Sequence, residues 1–129
     1  MKLGISSRLE HTTPQDWASK HKALGLESVV FPVSYLDGED SVMAYKKAAD
    51  DAGLTIAEVG IWRNTLAADP QERRQWIDYS IQQLRMADEI GAKCCVNVVG
   101  TPYGPRWDGG YRNNFSKEHC VRAKLQFFY

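Results

Sequence analysis

The feature that most limits the fold is a repeat. A short apolar run is followed by a polar loop, a helical pattern and then a glycine that leads into the next apolar run. Three helix exits read Ala-Leu-Gly-Leu at 23 to 26, Asp-Ala-Gly-Leu at 51 to 54 and Glu-Ile-Gly-Ala at 89 to 92. A glycine just past a helix suits the left-handed cap position. Alternating strands and helices of this kind build a parallel sheet, because each strand returns to the sheet through a right-handed crossover.

The expected strands are Lys2 to Ser6, Ser28 to Val33, Thr55 to Ile61 and Lys93 to Val99, all rich in Val, Ile or Leu. The first helix opens at Thr13, Pro14 and Asp16 and should bury Trp17 and Leu24. The second runs from about Asp40 to Ala52 with Val42, Tyr45 and Ala49 along one side. The third has the strongest start, with Asp69 as N-cap, Pro70 at the first helical position and Glu72 completing a capping box. Its expected inner stripe is Ile77, Ile81 and Leu84. A fourth is expected from Ser116, with Val121, Leu125 and Phe128 at helical spacing.

Charge excludes one class of partner. Lys plus Arg equals Asp plus Glu at 16 each in 129 residues, so the chain lacks the positive excess that counterion release requires of most nucleic-acid binders. The apolar runs are too short to span a bilayer and no signal-peptide core follows Met1, which reads as a cytoplasmic protein with no membrane partner. Three cysteines, two of them adjacent at Cys94 and Cys95, imply no disulfide framework, and His11, His21 and His119 lack zinc-ligand spacing.

In α/β folds ligands gather at the carboxyl ends of the strands. Period-two alternation puts Ala57, Val59 and Ile61 on a face suited to packing under helices, with Glu58 on the other. The fourth strand repeats this, with Cys94, Val96 and Val98 on the helix side and Asn97 beside Glu58 inside. A carboxylate and an amide among apolar strands must be hydrogen-bonded or solvated. Both a pocket and a mutually satisfied structural network meet that need.

Two loops at this end are rich in candidates: residues 61 to 66, with Trp62, Arg63 and Asn64, and Thr101 to Phe115, with Tyr103, Arg106, Trp107, Asp108 and Tyr111. Aromatic and hydrogen-bonding groups together suit a sugar or polyol; the alternative is that Trp62 and Trp107 cap the sheet end hydrophobically. A lone loop histidine such as His11 reads as a surface or capping residue. Trp76, Tyr79 and Met86 read as packing. No glycine pattern matches a phosphate loop.

Lys-Leu-Gly-Ile at the start, Ala-Glu-Val-Gly-Ile-Trp-Arg-Asn from 57 to 64 and Gly-Ala-Lys-Cys-Cys-Val-Asn-Val-Val-Gly from 91 to 100 together resemble sugar phosphate isomerases/epimerases of the xylose isomerase-like superfamily. The resemblance covers about residues 2 to 117. It implies a (β/α)8 TIM barrel, of which residues 1–129 would supply the N-terminal half in about four βα units. It also implies a divalent metal (Mn, Mg, Zn or Co) polarising a keto-sugar while glutamates move the proton through an enediol. That family's metal ligands come from second-half strands, so no metal ligand or catalytic residue is assigned here, and the chain is expected to bind no metal and to be inactive alone. What carries over is a wall of the sugar pocket: Trp62, Asn64 and Asn97, with Glu58 as neighbour and Trp107 from the long loop. Past Lys117 the family pattern is lost, which reads as a truncated or frameshifted end.

Two further readings stand beside this one. A half-barrel that leaves edge strands and an uncovered inner face, with Val30, Ile56 and Val99 meeting water, is expected to self-associate and to act as a binding or assembly module, a homo-oligomer. The DNA-repair endonuclease branch of the superfamily is disfavoured by zero net charge and by Trp62 and Asn97 where that branch would place histidines.

Overall fold

The structure is a computed structural model and describes residues 1–6 and 8–104. Its elements alternate as the glycine-punctuated repeat requires: β1 (Gly4–Ile5), α1 (Pro14–Ala23), β2 (Ser28–Val30), a 3-10 turn (Tyr35–Asp37), α2 (Glu39–Asp51), β3 (Thr55–Ile61), α3 (Pro70–Glu89) and β4 (Cys94–Asn97). The four strands form one parallel sheet in the order β1-β2-β3-β4. Gly25, Gly53 and Gly91, the residues expected to close the helices, have φ of 71, 64 and 69°.

Helix starts follow their capping residues. Thr13 Oγ1 accepts from the Asp16 N–H at 3.1 Å with Pro14 behind it, and the Asp69 carboxylate accepts from Gln71 and Glu72 N–H at 3.1 and 3.3 Å. Asp16 in turn accepts from Thr12 N–H and from Lys20, both at 3.0 Å. The Lys20 ammonium first, and the Thr12 N–H second, hold its carboxyl below the usual value of 3.8.

The chain falls into two compact units, Met1–Gly60 with Gln82–Val96, and Ile61–Ile81 with the described residues from Asn97 on. The first holds the main core: Val29, Phe31, Ile56 and Val59 from the strands and their extensions, Trp17 and Ala18 from α1, Val42, Ala48 and Ala49 from α2, and Met86, Ala87 and Ile90 at the end of α3. Small residues on α2 let that helix lie close to the strands; Ala49 is fully buried. Two polar side chains in this core are satisfied. His21 donates from Nδ1 to the Trp17 carbonyl at 2.8 Å. Gln83 accepts from Tyr35 N–H at 3.1 Å and donates to the Gly60 carbonyl at 3.5 Å, which ties the segment after β2 to the end of β3.

Four expectations are corrected. On β3 the core residues are Ile56 and Val59, three positions apart, and Ala57 is only half-buried. The register explains this: Val29 faces Ile56 but Val30 faces Glu58, so a bulge takes up one residue of β3 and shifts the alternation. Ile56, expected to meet water, is therefore buried. Leu24 is 59% exposed because it sits at the C-cap, past the last inward position of α1. Cys94, expected under a helix, is exposed at the start of edge strand β4.

The fourth concerns α3. Ile81 and Leu84 are 43% and 52% exposed, and the buried positions are Tyr79, Ser80, Gln83, Met86, Ala87 and Ile90. Both sets recur at helical spacing, so periodicity alone could not choose between them. The buried set contains a Gln and a Ser whose polar groups find partners inside, Ser80 Oγ donating to the Trp76 carbonyl at 2.7 Å. The fourth helix expected from Ser116 lies outside the described residues.

A matched pair of substitutions checks this core. Met86→Ala, at a buried site, should lower unfolding free energy by about 2–5 kcal/mol in urea titration. Met43→Ala, on the exposed side of α2, should change it by no more than about 0.5 kcal/mol.

Candidate functional site

The loop that leaves β3 carries three candidates in succession. Ile61 is buried at the end of the strand, so the next residue turns outward, and Trp62 is 44% exposed. Arg63 folds back onto the first half of α3. Its guanidinium carbon lies 5.0 Å from the centroids of both the Trp76 and Tyr79 rings, and Nη1 donates to the Trp62 carbonyl at 3.0 Å. The two rings meet edge to face, with centroids 6.1 Å apart. A cation over two aromatic faces gains quadrupole attraction in a partly desolvated setting.

Asn64 is buried and fastens this loop to the one after β4. Its Oδ1 accepts from Thr101 N–H at 2.9 Å and from Leu66 N–H at 3.3 Å, and its Nδ2 donates to the Thr101 carbonyl at 2.8 Å. The amide thus pairs with Thr101 as another peptide group would. These bonds use both acceptor positions of Oδ1 and one of the two amide hydrogens, leaving one hydrogen for a ligand. The preceding residue must be glycine: Gly100 has φ of 79°, and a Cβ there would collide with Asn64 Oδ1.

Asn97 ends β4 half-buried, and its Oδ1 is buried with no hydrogen-bond partner among the described residues. Trp62, Asn64 and Asn97 belong to the second compact unit. Glu58 belongs to the first, half-buried opposite Val30, its carbonyl accepting from Phe31 N–H at 2.8 Å. Trp107 lies outside the described residues, as do Arg106, Asp108 and Tyr111.

On β4, burial first, then the neighbouring Cys94 and Glu58, push the Cys95 thiol above its usual value. Cys94 donates its S–H to the Ala57 carbonyl at 3.2 Å. After β1, both ring nitrogens of His11 are engaged: Nδ1 donates to the Leu9 carbonyl at 2.7 Å, which leaves Nε2 to accept from the Tyr45 hydroxyl at 2.9 Å. Burial, then Asp37, raises the Tyr45 hydroxyl above its usual value of 10.0. An open depression of about 610 Å³ beside His11 is lined by Arg8, Glu10 and Lys20 among others, and Lys20 is already held by the Glu10 carbonyl and Asp16. These contacts fit the reading of His11 as a structural loop residue.

Sequence reasoning placed Arg63 and Thr101 in the candidate loops without reading their roles, and it missed Gln83. The signal for Arg63 was present, since Trp76 and Tyr79 stand three apart on the helix that follows it. Gln83 and Thr101 carried no such signal; their roles come from hydrogen bonds to groups distant in sequence, the backbone of Tyr35 and Gly60 for Gln83 and the side chain of Asn64 for Thr101. Among the described residues no three His, Cys, Asp or Glu side chains are grouped to hold a metal ion. The described residues therefore supply no ligand set for the divalent metal that the resemblance implies. Neither the family models nor the curated proteins compared with this chain match it.

Asn64→Leu should remove the two hydrogen bonds between the Asn64 amide and the buried Thr101 backbone, at a cost of about 1–3 kcal/mol. Gly100→Ala should open the same link by collision. Both should speed amide hydrogen exchange at Thr101, read by NMR, while exchange in α1 stays unchanged.

The two thiols should also differ. At pH 8 a raised pKa leaves Cys95 with less thiolate, so iodoacetamide should modify exposed Cys94 first, as peptide mapping of partly alkylated chain would show.

Proposed function

We propose that this chain contributes the sugar-binding wall of a metal-dependent sugar (phosphate) isomerase/epimerase of the xylose isomerase-like type, a cytoplasmic enzyme of carbohydrate metabolism. In this reading the four βα units are the first half of a (β/α)8 barrel and the metal-binding half is supplied by further strands. The observation that carries it is Trp62. It is exposed at the carboxyl end of a parallel strand, and the two residues after it are locked, Arg63 by stacking and Asn64 by its amide. An aromatic face presented from a rigid loop at the ligand-binding end of a parallel sheet suits the C–H face of a sugar ring or chain.

Two polar groups have distinct parts. The unpartnered Oδ1 of Asn97 accepts a hydrogen bond from a sugar hydroxyl. The remaining Nδ2 hydrogen of Asn64 donates one, with the rest of that amide holding the loop. In the described sheet, the order of four parallel strands and the richness of the loops at their carboxyl ends support this assignment. No helix among the described residues is long and apolar enough to cross a membrane.

Ketose phosphates such as D-fructose 6-phosphate and D-ribulose 5-phosphate, titrated into the full chain and followed by ¹H–¹⁵N NMR, should shift the Trp62 indole resonance and the amides of residues 62 to 66. Trp62→Ala should weaken the affinity by about five- to tenfold, roughly 1–1.4 kcal/mol. Absence of any shift in these resonances at about 50 mM sugar, weaker than any useful ground-state affinity, would refute the assignment.

A further inference from the structure

Helix α3 has two apolar faces. One is buried, through Tyr79, Met86 and Ala87. The other consists of Ile77, half-buried, with Ile81 and Leu84, 43% and 52% exposed. At 3.6 residues per turn, positions 77, 81, 84 and 88 fall within about 60° of arc, so this second face is a continuous stripe that ends at exposed Asp88. Its flanks are charged: Arg74 and Asp78 toward one end, Arg85 and Asp88 toward the other, all exposed.

The order of these charges specifies a partner. Basic Arg74 and acidic Asp88 stand seven residues either side of Ile81, and acidic Asp78 and basic Arg85 stand three before it and four after it. The stripe is therefore complementary to itself when reversed. We propose that α3 pairs antiparallel with α3 of a second copy of this chain, about a two-fold axis beside Ile81. Each Ile77 then meets the other copy's Leu84, and the two Ile81 side chains meet at the axis. Arg74 faces the other copy's Asp88, and Asp78 faces its Arg85; two-fold symmetry makes each of these contacts twice. A parallel arrangement would set Arg74 against Arg74 and Asp88 against Asp88, with like-charge repulsion at both ends.

Arg74 already contacts Asp78 of its own helix through Nε, at 3.1 Å. Its two terminal nitrogens are left to reach across the interface, because a guanidinium carries five donor hydrogens in a planar fork. A single helix pair buries less surface than most stable interfaces, so the dimer is weak and reversible. This proposal uses none of Trp62, Asn64, Asn97 or Glu58 and stands independently of the sugar-site reading.

Sedimentation equilibrium of the full chain under reducing conditions, which keep exposed Cys94 from cross-linking, should show a monomer–dimer equilibrium between about 10 and about 200 µM. Ile81→Glu, which sets two carboxylates together at the axis, should abolish the dimer while the far-UV circular dichroism of the monomer stays unchanged. Asp88→Arg and Arg74→Glu should each weaken association about tenfold or more, and the double variant R74E/D88R should recover affinity to within about threefold of the original chain. A monomer throughout that range would overturn the proposal. So would an oligomer that survives Ile81→Glu, or a double variant no better than the single ones.

Discussion

Parallel strands can be joined only by a chain that leaves the sheet and returns over one of its faces, and the rest of this structure depends on that constraint. Each crossover brings a helix over the strands, so one face of every strand and one stripe of every helix must be apolar together. Trp17, Ala48, Ala49, Met86 and Ala87 come from three separate helices and meet Val29, Ile56 and Val59 in one cluster. The glycine after each helix completes the geometry, because a residue at positive φ turns the chain sharply enough for a strand to start within a few residues.

The same constraint exposes the loops at the carboxyl ends of the strands, and it leaves their conformation undetermined. Here two devices hold them. The Asn64 side chain stands in for a peptide group against Thr101, and the Arg63 guanidinium lies against two rings of α3. Both act on residues next to Trp62, so an exposed indole is carried by backbone that has few alternatives. Rigidity next to exposure is what a binding surface needs, since ordering a mobile loop would otherwise subtract from affinity. Asn64, a candidate ligand-binding residue by type and position, is thus mainly a fastener with one donor to spare.

Much of the architecture was legible in local sequence. The order of elements, the full extent of β3, the caps at Thr13 and Asp69 and the glycine exits depend on neighbours within about one helical turn. Where local pattern misled, a non-local contact was responsible. The β3 bulge arises from pairing with β2, and it replaced Ala57 by Ile56 in the core. On α3 two stripes were equally periodic, and the buried one includes Gln83, whose partners Tyr35 and Gly60 lie 48 and 23 residues away. No window short enough to show helical period contains such partners.

The sequence by itself therefore determined that this chain is an alternating α/β protein, where its described helices begin and end, and which loops are chemically rich. Propensity, capping and turn geometry act within a few residues and need no knowledge of the rest. Tertiary structure alone decided which face of α3 is buried, where β3 slips its register, and that Asn64 and Gly100 must meet. Those outcomes depend on which backbone groups are left without hydrogen bonds once the strands have paired, and on how closely two loops approach, and both are properties of the assembled chain.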